Sequence, residues 1–425
     1  MMKILWITNN PLTITREYLG NKETYGGGWL DGLYAEIQKE TRIKLYVASP
    51  YETESLKKIE LDNLTSYLVP GGYKSRDKYK KKYDVFWKSV IEEINPDIIH
   101  IHGTEFAHVL NVLNVSKGIK NVVSIQGLIS EYYKYYFYSI NIKDACLSIT
   151  LKDMLRGTSI WKQQRSMKKK SQNEIEIIRN VSNVFGRTTW DRMHCWNVNG
   201  SLKYFYCGEI LRKKFYSSPK WNFRQCIKNR IYISQATYPI KGLHILIEAL
   251  AILKRNGLEF EVCIAGADIF DSKFSYSLRD SNYARYIKRK VNKYGLNENI
   301  RLLGVLNEDE VIKNLLQSNL FVCSSGIENS PNSLGEAMML GVPVITSYVG
   351  GIPSMISNEK CLFCANDSVM LAGKICELLI DTDLQNVVSR EEIAIAEKRF
   401  DKGEIIKQLL QHYESIINGE KEDER

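Results

Sequence analysis

The chain of 425 residues lacks most of the features that mark specialised classes of protein. It has 9 Pro and 27 Gly, too few for a collagen-like repeat or a Pro/Gly-rich disordered chain. No run approaches the roughly 18 apolar residues that a membrane-spanning helix needs. The opening MMKILWITNNP carries one Lys and a short apolar stretch before Asn9. That is too short for a signal-peptide core and reads as a buried first strand, so the expected address is the cytoplasm. Cysteine gives no framework: the nine residues at 146, 195, 207, 226, 263, 323, 361, 364 and 376 are odd in number and widely spaced, which fits reduced thiols. Cys361-Leu-Phe-Cys364 is a lone CxxC with no second pair and no nearby His, and its surroundings read as a short strand. No G-x-G-x-x-G follows the first strand, which disfavours a dinucleotide-dependent dehydrogenase. Histidine is scarce, at 6 residues. Of these, His102 ends a predicted strand, and His100 reads as a packed core residue.

What is present fits a globular protein of two domains, with 44% apolar and 25% charged residues. The net charge of +9 is unevenly shared. Through Lys220 there are 34 Lys and Arg against 22 Asp and Glu; beyond it there are 24 against 27. A basic first half and a slightly acidic second half imply different partners.

In the first half, short apolar runs at Ile4–Thr8, Lys44–Ala48, Ile98–His102 and Val122–Ile125 alternate with helical spacing at Trp29–Glu40 and Val85–Ile94. That rhythm means a parallel sheet covered by helices on both faces. Phe215–Lys228 interrupts it and carries Ser-Ser-Pro, so a linker is expected at 216–228, between domains at 1–215 and 229–398. The rhythm restarts with strands at Ile231–Ser234, Glu261–Ala265, Ile300–Leu303, Leu320–Ser324 and Val342–Thr346. A final amphipathic helix at 399–418, expected to pack toward the N-terminal domain, precedes a polar tail at 419–425. Tyr73–Lys82, Glu131–Tyr138 and Trp161–Lys170 mix Lys or Arg with aromatics. They read either as solvated helix faces or as a surface for an anionic acceptor or membrane. No nucleic-acid-binding motif accompanies them.

The richest segment runs from Ser324 to Pro343. Ser330-Pro331 reads as a helix N-cap with Pro at the first helical position, and Gly341 ends the helix. Such a helix follows a parallel strand, where open α/β sheets bind ligands. The free N–H groups of Asn332 and Ser333 make an anion site suited to a diphosphate. Glu336 leans back toward that anion and can accept the hydroxyls of a ribose. Glu328, in the preceding loop, can reach a sugar. Lys241-Gly242 follows the strand at 231–234 and opens the next helix, which places a mobile positive charge where a phosphate leaving group would sit. Asp381-Thr382-Asp383 mimics a metal-binding acid pair, yet lies between helices and reads as capping.

Together these residues resemble glycosyltransferase family 4. The resemblance rests on Glu328 and Glu336, on Gly341-Val-Pro-Val344, on Lys241-Gly242 and on Gly350-Gly351. Tyr25-Gly26-Gly27-Gly28 resembles the family's glycine-rich first loop, and Pro96–Gly103 its fourth-strand motif. Two departures stand out. The family's Arg before the KG lysine is replaced by Ser234-Gln235-Ala236-Thr237, leaving Arg187 as a candidate to supply that contact. The family's His-Gly is Gln126-Gly127 here.

The resemblance implies the GT-B fold, two Rossmann-like doubly wound domains facing across a cleft. It implies a retaining transferase using a UDP- or GDP-sugar, without metal or other cofactor. Glu328 and Lys241 would be catalytic; Glu336, Asn332, Ser333, Lys241 and Arg187 would bind the donor; Gly27, Gly28, His102 and Gln126 would line the acceptor or sugar side. The expected acceptor is a saccharide, free or polyprenyl-linked, in bacterial surface polysaccharide assembly, with the protein at the inner face of the cytoplasmic membrane. No nucleic acid partner is expected. A nucleotide-sugar epimerase and a non-catalytic nucleotide-sugar-binding protein are the alternatives.

Overall fold

The computed structural model describes residues 1–20, 28–72, 77–235, 237–266, 275–277 and 280–419. The chain divides into two compact units. Unit 1 comprises 1–130, 168–212 and 400–425; unit 2 comprises 131–167 and 213–399.

Unit 1 is built on eight strands: β1 (Met2–Ile7), β2 (Ile43–Tyr51), β3 (Lys57–Leu61), β4 (Leu64–Pro70), β5 (Ile98–His102), β6 (Asn121–Ser124), β7 (Asn183–Gly186) and β8 (Lys203–Tyr206). Their order is β3-β4-β2-β1-β5-β6-β7-β8. All neighbours pair in parallel except β3 with β4. The central strand β1 is covered on both faces, which is why Ile4, Leu5, Trp6 and Ile7 form an unbroken apolar run, each 0% exposed. The final helix, Lys402–Asn418, belongs to this unit. Its Tyr413 hydroxyl accepts from Trp6 Nε1 at 3.1 Å and lies 2.6 Å from His100 Nδ1. His100 Nε2 meets Ser124 Oγ at 2.6 Å, so both ring nitrogens serve the core.

Unit 2 carries β9 (Arg230–Ser234), β10 (Glu261–Ala265), β11 (Ile300–Gly304), β12 (Leu320–Cys323), β13 (Val344–Ser347) and β14 (Leu362–Phe363). All are parallel, in the order β11-β10-β9-β12-β13-β14. This is the doubly wound order, which reverses direction between β9 and β12. The expected linker at 216–228 is packed structure rather than a tether. Trp221 is buried, its Nε1 donating to Ser318 O at 2.8 Å and its backbone N–H to Leu340 O at 2.7 Å. The division between units falls instead at 212/213, and residues 131–167, inside the expected first domain, cluster with unit 2.

Glu174 sits beside one of these crossings. It is fully buried in unit 1 and accepts from Ser130 N–H at 2.7 Å, Ile129 N–H at 3.2 Å and Thr104 Oγ1 at 2.8 Å. Burial outweighs these donors and pushes its carboxyl up to about 7. The native state therefore holds a proton that the unfolded chain has already released between about pH 4.5 and 7. Its contribution to stability is complete below the unfolded value and is lost as pH rises through the folded one. Denaturant midpoints measured from pH 4.5 to 7.5 should fall less steeply with pH in Glu174→Gln than in the wild type.

Candidate active site

Two loops meet at the reversal point of the second sheet. One follows β9 and carries Lys241; the other follows β12 and carries Glu328. Crevices at such reversals, beyond the carboxyl ends of the strands, are where open α/β sheets bind ligands. Lys241 Nζ donates to Glu328 Oε1 at 2.6 Å, and Ser325 Oγ donates to the same oxygen at 2.7 Å. The pair is largely out of solvent, with side chains 18% and 9% exposed. Burial acts to lower the Lys241 pKa, but the Glu328 carboxylate and the Tyr238 phenol outweigh it and hold the ammonium well above its ordinary value.

Two glycines make this approach feasible. Gly242 has φ +69°, and a Cβ there would lie 1.8 Å from Ser324 O. Gly350 has φ +51°, and a Cβ would lie 2.0 Å from Glu328 O. Any side chain at either site would be strained by its backbone and would push the Lys241 or Glu328 loop out of place. Gly351 N–H completes the support by donating to Glu328 O at 2.9 Å.

The helix beyond Glu328 spans Asn332–Leu340, nine residues rather than ten, with Pro331 as its N-cap. The Pro331 carbonyl already accepts from Leu334 and Gly335, while its ψ of 122° is extended, so the helix starts one residue later than the Ser330-Pro331 pattern suggests. The N–H groups of Asn332 and Ser333 open this helix and have no backbone acceptor among the described residues. Asn332 Oδ1 is buried without a hydrogen-bond partner among them. Glu336 lies one turn further on, 6% exposed. Unit 2 thus gathers Lys241, Glu328, Asn332, Ser333 and Glu336 onto two neighbouring loops and one helix.

Sequence reading missed the tyrosines around this group. Tyr132 lies close enough to Glu328 and Lys241 to feel both charges, and Asn329 N–H donates to it; burial first, then the Glu328 charge, raises its phenol pKa. The Tyr138 ring stands over both loops: a Cβ on Gly242 or Gly326 would lie 2.8 or 2.5 Å from it. Tyr138 O takes a hydrogen bond from His244 Nε2 at 2.6 Å. Burial pushes His244 down to about 3, so the ring is neutral. The clustered aromatics of Glu131–Tyr138 were the available signal; what they pack against is a long-range matter that spacing does not encode.

The residues expected on the acceptor side fall in unit 1. There a pocket of about 270 Å³ opens beyond β1 and β5, the reversal point of the first sheet, with His102, Gln126, Glu105, Asn9, Arg16 and Trp29 among its walls. His102 is 2% exposed and neutral, pushed down to about 3 by burial; neither ring nitrogen has a hydrogen-bond partner among the described residues. Glu105 is also raised by burial, and it accepts from Asn9 Nδ2 at 3.2 Å. Gly28 begins the helix Gly28–Ile37; Gly27, with Tyr25 and Gly26, lies outside the described residues.

Arg187 was expected beside the donor phosphates. It belongs to unit 1, at the end of β7, where it pairs with Glu209 and donates to Ile125 O at 3.1 Å and Gln126 O at 2.8 Å. Its guanidinium is held by one carboxylate and two carbonyls, so it positions the backbone at Gln126. Cys361 and Cys364 do not act as a pair: Cys361 is buried, with its thiol 3.6 Å from Glu392 Oε1, and Cys364 is exposed. Asp381 caps the helix Thr382–Arg399 through Leu384 N–H at 2.8 Å.

With two doubly wound parallel sheets in one chain, the architecture is the GT-B fold, as likeness to solved structures shows. Sucrose-phosphate synthase from Thermosynechococcus elongatus aligns over 99% of this chain and 100% of its own, with a TM-score of 0.70 at 16% identity. HepE from Anabaena, solved in complex with UDP, aligns over 97% and 100%, with a TM-score of 0.65 at 15% identity. A family model described as Glycosyl transferases group 1 matches residues 223–394. Among curated proteins, one named as colanic acid biosynthesis glycosyltransferase WcaL of Salmonella typhimurium is 29% identical over 186 residues, 41% of this chain and 42% of its own length. Amylovoran biosynthesis glycosyltransferase AmsK of Erwinia amylovora is 29% identical over 125 residues, 28% of each chain. The matched stretches thus cover less than half of these relatives.

Proposed function

We propose that the protein is a glycosyltransferase of family 4 type that moves a sugar from a nucleoside-diphosphate sugar to a saccharide in the assembly of a bacterial polysaccharide, with retention at the anomeric carbon. The observation that carries this reading is the buried Lys241–Glu328 pair at the sheet reversal, next to the helix N-terminus at Asn332. The names of WcaL and AmsK support the polysaccharide setting. A diphosphate on the N–H groups of Asn332 and Ser333 gains from the helix dipole. Lys241 turns from Glu328 to the departing phosphate and stabilises the charge that develops there, which is the main catalytic contribution. Glu336 accepts the ribose hydroxyls. Glu328 holds the donor sugar and favours positive charge at its anomeric carbon. These residues already supply the charge the leaving group needs, so no metal is required. The unit 1 pocket with His102 and Gln126 takes the acceptor, a free or lipid-linked saccharide, and the chain works on the cytoplasmic side of the membrane.

The test is incubation with a panel of UDP- and GDP-sugars, followed by NMR, for the wild type and Glu336→Ala. Slow release of free sugar and nucleoside diphosphate from one donor, lost or shifted to higher donor concentration in the variant, supports transfer and names the donor. An isomerised nucleotide sugar would make the protein an epimerase. No binding to any member of the panel would overturn the donor site.

A further inference from the structure

Two short helices, Ile142–Leu147 and Leu151–Arg156, face solvent with side chains that ordinarily avoid it. Ile142, Leu147, Ile149, Leu151, Met154 and Leu155 are 71, 58, 37, 65, 69 and 87% exposed. They are six of the twenty-four exposed large hydrophobics of the described chain, gathered within fourteen residues; the others are scattered singly or in pairs. Isolated exposed apolar residues need no explanation, whereas a contiguous group of this kind marks a surface that meets something.

The patch is built rather than frayed. Asn141 caps the first helix through Asp144 N–H at 2.8 Å. Thr150 and Asp153 form a capping box on the second. Beneath them runs the helix Asn282–Tyr294. Asn282, fully buried, donates to Ala145 O at 2.9 Å; Arg285 donates to Ile149 O at 3.2 Å; Arg289 donates to Ser148 Oγ at 3.2 Å. These bonds fix the turn between the two helices, and the apolar side chains are presented outward from it.

Charge identifies the occupant. Residues 141–156 contain Lys143, Lys152 and Arg156 against Asp144 and Asp153. Both acids are engaged at the base. Asp153 is buried, taking Thr150 and Thr158 hydroxyls at 2.6 and 2.7 Å. Asp144 faces Arg289 at 3.4 Å. The outward charge is therefore basic, and along the chain it alternates with the aliphatic side chains. Aliphatic insertion ringed by Lys and Arg is the chemistry of binding at an anionic bilayer interface. A water-soluble protein partner recognised by charge alone would not need six exposed aliphatic and thioether side chains.

We propose that residues 142–156 dock this protein on an anionic lipid surface, with Leu151, Met154 and Leu155 entering the headgroup boundary and Lys143, Lys152 and Arg156 meeting the lipid phosphates. This surface differs from the Lys/aromatic stretches singled out in the sequence, and the proposal does not depend on the transfer reaction.

The test uses the full chain and no nucleotide sugar. Sedimentation with vesicles of phosphatidylcholine and phosphatidylglycerol (7:3) is compared with pure phosphatidylcholine, at low and high salt. The wild type should partition at least tenfold better onto the anionic vesicles at low salt and lose most of that on adding salt. Leu151→Ser/Leu155→Ser, at exposed positions that leave the melting temperature unchanged, should bind at least tenfold more weakly than the wild type. Trp196→Ser, at an exposed residue of unit 1 (63% exposed), should bind as the wild type does. Equal binding of the double variant and the wild type would overturn the proposal, as would no binding by the wild type. A wild-type dimer in sedimentation equilibrium that the double variant converts to monomer would also overturn it, by assigning the patch to a second copy of the chain.

Discussion

Glu328→Gln should slow sugar transfer by a factor on the order of 10²–10³, the usual loss when one preorganised electrostatic partner is removed from a reaction centre. Glutamine keeps the shape and can still accept from Ser325, so the loop that Gly350 supports stays in place. What disappears is the negative charge that holds Lys241 and that, in the proposed reaction, faces the anomeric carbon as it becomes positive. The loss should therefore appear in kcat at saturating donor, whereas Glu336→Ala should act chiefly on the donor KM, because a ribose contact is made equally in the ground and transition states. Initial rates with the donor found by the NMR panel separate the two. An unchanged kcat in Glu328→Gln would remove this carboxylate from the chemistry.

The largest effect on stability is expected at a site with no part in that chemistry. Lys288 and Asp280 form an ion pair at 2.6 Å with both side chains 0% exposed, and Lys288 also donates to Ser275 O at 2.6 Å. Lys288→Met leaves the Asp280 carboxylate buried without its cation, which costs about 3–5 kcal/mol. For a unit of this size that lowers the melting temperature by roughly 10 °C or more. The double variant Asp280→Leu/Lys288→Met should recover most of the loss, since an apolar pair of similar volume does not carry the desolvation cost of two charges. Thermal unfolding of the three proteins, followed by circular dichroism, checks both. If the double variant melts with the single one, packing rather than charge is responsible.

Much of the fold was legible because its signals are local. Short apolar runs marked β1, β2, β5, β6 and β9–β13, with Asn9, Gly103, Gly266 and Gly304 closing four of them, and Pro331 and Gly341 bracketed the helix that carries Glu336. The hairpin of β3 and β4 was missed although its turn is written in the chain: Asp62-Asn63 joins Lys57–Leu61 to Leu64–Pro70, a two-residue turn between strand-forming runs. Strands β7 and β8, four residues each, are too short for periodicity to separate them from the helices around them. Lys241 and Glu328 could be named from sequence because each lies just beyond a strand. Their contact could not, because it depends on β9 and β12 being neighbours in the sheet. The pairing of Arg187 was hidden for the same reason: its carboxylate partner, Glu209, lies beyond β8, and nothing in the spacing says that the two meet. Tyr132 and Tyr138 belong with Lys241 and Glu328 in unit 2, although more than a hundred residues separate them in the chain.

That placement has a practical meaning for recombining such enzymes. The chain changes unit at 130/131, 167/168, 212/213 and 399/400, so no single crossover exchanges one sheet with everything that packs on it. A hybrid joined only at 212 would pair one parent's Lys241 and Glu328 loops with the other parent's Tyr132 and Tyr138, and would leave the helix Lys402–Asn418 on a foreign β1. Heredity at this fold is therefore carried in five interleaved blocks, and a functional chimaera has to inherit 131–167 together with 213–399, as if the two were one exon.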